Sequence, residues 1–301
     1  MKNNVTILVN SCDAYDDAWV PFFELFKKYW PNCEYPVVLN TESKDYVDEA
    51  LNVKTFNLYK STDNVPYGER FIEHLKRIDS KYIITLMDDF FIRDFVDTEK
   101  IKRYISVMEN DKDIAYIAFA SKPDKYNIDD NKVEDCILRP RYGEYKINLQ
   151  SGLWRKDKLM KCIKAHESPW EFETKGSIRT FETKDKFYAV KEDDLSPINY
   201  GKKAGLTWGI VRGKWVKDDV DPFFKANNIE IDYSKRGVFD PDNFVDITKN
   251  KQTSVKRDIK SYGLWLYTKM IVWHIIRNIR RALKMSYSQD WVYYKRKNYD
   301  K

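Results

Sequence analysis

The run Lys81-Tyr-Ile-Ile-Thr-Leu-Met-Asp-Asp-Phe-Phe-Ile92 decides how this chain is read. Ile83, Ile84, Leu86 and Met87 give the near-continuous apolar run of a parallel strand covered on both faces. Two acids, Asp88 and Asp89, stand at its carboxyl end, and Phe90, Phe91 and Ile92 follow at once. In an open α/β sheet the ligand crevice lies outside the carboxyl ends of the strands. Paired carboxylates there, between apolar walls, suit a divalent cation that itself holds phosphate oxygens. An ordinary polar loop also puts acids after a strand, so the meaning of the pair rests on its surroundings.

Upstream, Val5–Val9 is a first apolar strand that ends in Asn10-Ser-Cys-Asp13. Trp19–Tyr29 has helical spacing, with Trp19, Phe22, Phe23 and Phe26 on one face, Pro21 in the first turn and Pro31 beyond the end. Tyr35–Leu39 and Val53–Leu58 read as strands, the first followed by Asn40-Thr-Glu42, and Tyr67–Ile78 reads as a helix. Downstream come a helix over Asp97–Met108 and a strand over Ile114–Ala120. This alternation of strands and helices predicts a doubly wound α/β sheet.

Residues 121–144 are polar, with Pro123, Pro140 and Gly143, and read as a surface excursion. Beyond them lie Tyr145–Leu149, Gln150-Ser-Gly-Leu-Trp154, a short helix over Lys156–Ile163, Ser168-Pro-Trp-Glu-Phe-Glu173 and a strand over Phe187–Val190. Gly201, Gly205, Gly209 and Gly213 punctuate a hairpin and its turns, and 218–245 is loop-rich. The expected organisation is a body over 1–245, with halves at 1–120 and 121–245, and a tail over 246–301.

With 301 residues, 43% hydrophobic and 15% aromatic, the body can build a sizeable core. Charged residues at 33% and the lack of any apolar run of about 18 residues argue against a membrane-embedded protein. Cys12, Cys33, Cys136 and Cys162 form neither a C-x-x-C pair nor a zinc-like cluster. With no signal peptide at the N terminus, they read as reduced thiols of a cytosolic protein. Residues 251–301 hold 13 Lys/Arg against 3 Asp/Glu, a net +10, so 1–250 carry −4 of the total +6. A body with that balance has no basic face for nucleic acid. In the tail, Val272, Ile275, Ile276, Ile279 and Leu283 share one helical face, and Arg277, Arg280, Arg281 and Lys284 share another. Such a basic amphipathic helix lies in the headgroup layer of an anionic membrane, or packs on the body with its basic face solvated. The first alternative makes the protein peripheral on the inner face of the membrane.

In their order along the chain, these features resemble a GT-A glycosyltransferase. More narrowly, Gly68-Glu-Arg70, Tyr82–Ile92, Leu149-Gln-Ser-Gly-Leu-Trp-Arg155 and Ser168-Pro-Trp-Glu-Phe-Glu173 are similar to bacterial capsule or lipopolysaccharide-type glycosyltransferases. The resemblance covers about residues 5–215 and leaves the tail outside. It implies a Rossmann-like α/β fold: a mixed, mostly parallel central sheet flanked by helices, here with a C-terminal basic amphipathic helix. It also implies a nucleotide-diphospho-sugar donor, UDP-linked for preference, a divalent cation (Mn2+ or Mg2+), and a glycan or lipid-linked acceptor. Asp88 and Asp89 match the family's Asp-x-Asp position as donor and metal ligands, although the pattern here is Asp-Asp followed by Phe90 and Phe91. Asn10, Asp13 and Glu42 match positions that hold the base and ribose, and Gln150, Ser151 and Gly152 resemble the segment beside the donor sugar. Arg70 either neutralises the diphosphate or pairs with an acid of the core.

The chemistry asks for one more group. An acceptor hydroxyl loses its proton as it attacks the anomeric carbon, and a carboxylate is the usual base for inversion. Glu173 and Glu171 are the candidates. Ser168-x-x-Glu171, with Pro169 at the first helical position, is also a capping box, so Glu171 serves as cap or acceptor ligand. Glu173 is the expected base, with Arg179 six residues on at a spacing similar to the inverting family's acid-to-Arg spacing. Trp170 and Trp208 are candidates to stack on a sugar, His166 lies near the acceptor loop, and Arg212 is placed to meet the pyrophosphate or to sit on a solvated hairpin. Two rival readings are a sugar nucleotidyltransferase, which usually needs a Gly-rich basic loop that does not follow Val9, and a catalytically inactive glycan- or membrane-binding scaffold.

Overall fold

Strand β1 (Val5–Asn10) is buried along its whole length, as its unbroken apolar run requires. It leads through a short 3-10 turn into helix α1 (Asp16–Tyr29), followed by strands β2 (Val37–Asn40) and β3 (Lys54–Phe56), helix α2 (Tyr67–Lys76), strand β4 (Tyr82–Met87), helix α3 (Thr98–Asn110) and strand β5 (Ile114–Ala118). The computed structural model describes residues 4–121, 127–141, 143, 145–201 and 209–240, with eight helical positions between 264 and 279. Trp208 and the basic residues of the tail face lie outside these.

The second half adds strand β6 (Cys136–Leu138), strand β7 (Gly152–Arg155) and helix α4 (Lys156–Cys162). A helical run then spans α5 (Pro169–Glu171), a π-helical turn (Phe172–Gly176) and α6 (Ser177–Arg179) before strand β8 (Lys186–Val190). A two-stranded hairpin of β9 (Ile210–Val211) and β10 (Lys214–Trp215) precedes helix α7 (Lys217–Ala226).

The main sheet has eight strands in the order β3-β2-β1-β4-β7-β5-β8-β6. Only β7 and β6 run against the others, so the sheet is mixed and mostly parallel, as expected. Period-two alternation sends Ile7, Val9, Ile84 and Leu153 to one face, against Trp19, Phe22 and Phe26 of α1 and Tyr104 of α3. Leu8, Ile83 and Trp154 go to the other, against Phe71 and Leu75 of α2 and Leu159 of α4. Burial on both faces is why these strands read as continuous apolar runs.

Three local readings change. Helix α1 starts at Asp16, so Pro21 falls in the second turn, where it cannot donate back to the Asp17 carbonyl. The polar excursion contributes the edge strand β6, paired antiparallel to β8 through only three residues. The apolar run after Gln150 is an antiparallel strand inserted between β4 and β5. In the tail, Leu264, Trp265, Ile271, Val272, Ile275 and Ile279 are helical and exposed. Among the described residues no helix is long and apolar enough to cross a membrane.

Two contacts fix α2, which carries Arg70. Gly68 donates its N–H to the Glu167 carbonyl at 2.9 Å, and a Cβ there would lie 2.0 Å from the Lys164 carbonyl oxygen. His74 is fully buried and stacks on Phe56 with ring centroids 5.5 Å apart. Burial, reinforced by the nearby Arg70 and Arg77, pushes the His74 imidazole down to about 3 from its ordinary 6.5. The unfolded chain therefore binds a proton between pH 6.5 and 3 that the folded chain refuses, and His74's contribution to stability falls as pH drops through that window. At pH 5 the loss is about 2 kcal/mol. His74→Phe should remove this part of the acid limb when urea unfolding is compared at pH 7.5 and pH 5; equal pH dependence in the two proteins would contradict the assignment.

Candidate active site

The register Asn10↔Met87 between parallel β1 and β4 brings the chain out of both strands side by side. Ser11 and Asp88 therefore meet: the Ser11 hydroxyl donates to Asp88 Oδ2, and Trp19 Nε1 donates to Ser11 Oγ at 2.6 Å. Burial, and then the charge of Asp89, raise the Asp88 carboxyl well above the usual range despite those bonds. Burial raises Asp89 as well, against the pull of Arg236. Asp89 Oδ1 is buried and has no protein partner. An orphaned carboxylate oxygen of this kind asks for a cation or a donor from a ligand.

The chain returns to this corner much later. Gly209 donates its N–H to the Asp89 carbonyl at 2.9 Å and lies so close to Phe91 that a Cβ would sit 2.1 Å from the ring. Trp215 stacks on Phe91 at 6.0 Å. Arg236 then locks the segment down. Its Nε donates to Asp17 Oδ2 at 2.8 Å, Nη2 pairs with Asp17 Oδ1 and donates to the Ala14 carbonyl at 2.9 Å, and the guanidinium lies 4.5 Å from the Tyr15 ring centre.

On the other side of β1, the loops after β1 and β2 grip each other. Asp13 accepts the N–H groups of Glu42, Ser43 and Lys44, each at 3.1 Å, and the Ser43 hydroxyl at 2.5 Å. Partial burial opposes ionisation, yet these donors hold the Asp13 carboxyl below its usual range. Glu42 accepts the Asp13 N–H and forms an ion pair with buried Arg70. Of the two alternatives for Arg70, pairing with an acid is the one present. Asn40 Nδ2 donates to Asn10 Oδ1 at 3.2 Å, which leaves Asn10 Nδ2 and Asn40 Oδ1 buried without partners. Asn10, Asp13, Glu42 and Arg70 thus form one contiguous wall.

Glu173 comes from the helical run that follows Ser168. The capping box is formed: Ser168 accepts the Glu171 N–H at 3.3 Å and Glu171 accepts the Ser168 N–H at 3.0 Å. Lys175 adds an ion pair to Glu171 at 2.7 Å. The backbone then widens into the π-helical turn that carries Glu173, a distortion frequent at functional sites. Glu173 Oε1 accepts the Leu149 N–H at 2.8 Å. Its charge reaches the buried hydroxyls of Tyr67 and Tyr116, both raised mainly by burial. Tyr116 donates to Asn148 Oδ1 at 3.1 Å, and burial raises the Tyr200 hydroxyl, with the charge of Asp89 adding to the shift.

Arg179 turns to Glu167 in a bidentate bond of 2.7 and 2.6 Å. Ser151 and Gly152 are buried and Gln150 half-buried; the missing Cβ of Gly152 accommodates the Tyr116 ring, which it would approach to 2.4 Å. Trp170 is 76% exposed at the start of the helical run, and His166 is exposed in the turn before it. Arg212, exposed with φ +50°, and Gly213, with φ +76°, form the tight turn of the β9–β10 hairpin. The structure adds Tyr67, Asn148, Tyr200 and Arg236 to the residues read from sequence. Tyr67 and Asn148 adjoin motifs already singled out, whereas Arg236 lies 219 positions from Asp17 and has no local signature.

The capping box is a closed pair, so its halves should not act independently. Ser168→Ala and Glu171→Ala should each lower stability by about 1 kcal/mol, and the double variant should lose less than the sum. Strict additivity in urea unfolding would show that the two bonds are not one unit.

No family model matches the chain, and no curated protein matches it. Among solved structures, TarS 1–349 of S. aureus is similar at a TM-score of 0.39 and 12% identity, over 62% of this chain and 60% of that one. The mannosyltransferase PcManGT from Pyrobaculum calidifontis, in complex with GDP-Man and Mn2+, is similar at 0.42 and 7%, over 65% and 56%. A cytidylyltransferase from Leptospira borgpetersenii is similar at 0.35 and 13%, over 56% and 68%. The chain spans about three fifths of the TarS fragment's length.

Proposed function

We propose that this chain is a glycosyltransferase that moves a sugar from a nucleotide-diphospho-sugar, UDP-linked for preference, to a hydroxyl of a cell-surface glycan or lipid-linked acceptor with inversion. The observation that carries the reading is the Asp88–Asp89 pair at the carboxyl end of β4, where Asp89 Oδ1 is buried without a protein partner. Glu173 accepts from Leu149 in the segment that enters the neighbouring strand β7, where Asn148 Nδ2 and Ser151 Oγ are also buried without partners.

In this reaction the acceptor oxygen attacks the anomeric carbon and the carbon–oxygen bond to the β-phosphate breaks. The bonding pair leaves on the diphosphate, and the acceptor proton passes to the Glu173 carboxylate. The Leu149 N–H orients that carboxylate. The wall of Asn10, Asp13 and Glu42 receives the nucleoside, and Trp170 offers an exposed ring face to a sugar. Among the described residues no third acid, histidine or cysteine joins Asp88 and Asp89 in a metal cluster. Two carboxylates nevertheless fit Mg2+ or Mn2+, which usually take one or two from the protein and the rest from phosphates and water. Asp89 is the free-handed ligand, since Asp88 is held by Ser11. Such a cation would neutralise charge on the leaving diphosphate.

The tail supplies a location. Its described apolar positions are helical and exposed, and the segment's net +10 complements an anionic surface. We read the protein as cytoplasmic and peripheral on the inner membrane face.

Calorimetry with UDP- and GDP-linked sugars in the presence of Mn2+ tests the chemistry. Binding should weaken at least tenfold in Asp89→Ala, while Glu173→Gln should keep binding and lose turnover by about a hundredfold or more. Absence of binding to every nucleoside diphosphate would sink the reading, and pyrophosphate release from a nucleoside triphosphate would redirect it to nucleotidyl transfer. For the tail, sedimentation with vesicles containing phosphatidylglycerol should carry the full chain down at low salt and release it at high salt; equal sedimentation with neutral vesicles would count against it.

A further inference from the structure

Two side chains near Glu173, half-buried Tyr67 and buried Asn148, have buried donor atoms that the fold leaves unused. The Tyr67 hydroxyl is enclosed yet has no protein partner, although its ring packs against Phe71 at 5.5 Å. Asn148 is 2% exposed and its Nδ2 has no partner, while its Oδ1 accepts the Tyr116 hydroxyl at 3.1 Å. That bond fixes which way the amide faces, so its two N–H donors are presented and its oxygen is occupied. The next residue, Leu149, holds Glu173 through its N–H, which ties the Asn148 donors to the position of the carboxylate. Tyr67 opens α2, and its hydroxyl, raised by burial, feels the charges of both Arg70 and Glu173.

A buried donor left without a hydrogen bond loses the bonds it made to water in the unfolded chain and gains none in exchange. Two such donors are therefore unexplained by the fold itself. Together they offer a hydroxyl donor and an amide donor. A ligand that satisfies both needs oxygens that accept, which is the chemistry of sugar hydroxyls. An apolar ligand would leave both donors bare. We infer that Tyr67 and Asn148 form a sugar-hydroxyl-binding pair that positions a pyranose ring against Glu173 and helps set which sugar is accepted. The inference rests on the glycosyl-transfer reading. The same chemistry serves the sugar of the donor or that of the acceptor.

The test uses the full chain with Tyr67→Phe, which deletes only the hydroxyl, and with Asn148→Ala. Asn148→Asp is the second variant at that site, because it keeps an oxygen for Tyr116 while removing the N–H donors. Affinities for UDP and UDP-GlcNAc, and for GDP and GDP-mannose, are measured by calorimetry alongside thermal melts. If the pair holds the donor sugar, affinity for the free diphosphate stays within twofold and affinity for the matching nucleotide sugar falls at least fivefold in all three variants. If it holds the acceptor, both affinities stay unchanged and KM for a panel of methyl glycosides rises at least fivefold. The inference is overturned if affinities and KM are all unchanged, or if the free diphosphate weakens as much as its sugar ester, which marks a purely structural role. Absence of nucleotide binding in the unsubstituted chain would instead overturn the underlying reading, and that failure is visible before any variant is made.

Discussion

Two carboxylates buried side by side repel each other, and much of this structure answers that repulsion. Parallel pairing of β1 with β4 fixes Ser11 next to Asp88, and Trp19 of α1 supports the serine hydroxyl from behind. Arg236 brings compensating positive charge from a distant part of the chain. Its own cost of burial is offset by Asp17, the Ala14 carbonyl and the ring of Tyr15. These devices tie the first strand, the first helix and the segment 209–240 into one corner. They leave Asp89 Oδ1 buried without a protein partner. A ligand or cation that neutralises the pair would therefore add most where the protein has stopped short.

The helical run that carries Glu173 is built by a different means. Glu171 is consumed by its cap and by Lys175, and Arg179 by Glu167. Glu173, two positions from both Glu171 and Lys175, projects from a different side of the run and reaches the 147–149 segment from within the π-helical turn. Ser177 reinforces this docking by donating to the Glu173 carbonyl at 2.6 Å while accepting the Ile147 N–H at 3.1 Å. Two acids two residues apart thus acquire separate environments, one fixed to its own helix and one bonded to the segment that enters β7.

Hydrophobic periodicity made β1, β4, β5 and the faces of α1 and α3 legible, because each is long enough to show its pattern. Strand β6 is three residues in a polar stretch and exists only through its pairing with β8, so no local pattern announces it. The Ser168–Glu171 cap was readable because both partners are local. The partner of Arg179 was not: a spacing of six from Glu173 drew attention away from Glu167, which comes from the loop before the helical run. Arg236 shows the same limit at greater distance, since electrostatic pairing across the fold leaves no trace in spacing. Motifs mark residues locally, but the partners of those residues depend on contacts that only the folded chain makes.

Strand β7 decides by its direction which residues reach the edge that carries the acid pair. Had it run parallel to β4 and β5, its carboxyl end would have reached the crevice and the segment before it would have lain at the far edge of the sheet. Because it runs antiparallel between them, the residues that enter it, Asn148 through Ser151, arrive beside Asp89 and Glu173 instead. The edge is thereby lined by chain leaving β1, β2 and β4 and chain entering β7. Gly152, first in β7, must lack a side chain because the Tyr116 ring fills that space, and Tyr116 in turn orients Asn148. A reversed strand, a glycine and a buried tyrosine in this way set where Asn148 and its neighbours stand at the sheet edge that carries the acid pair.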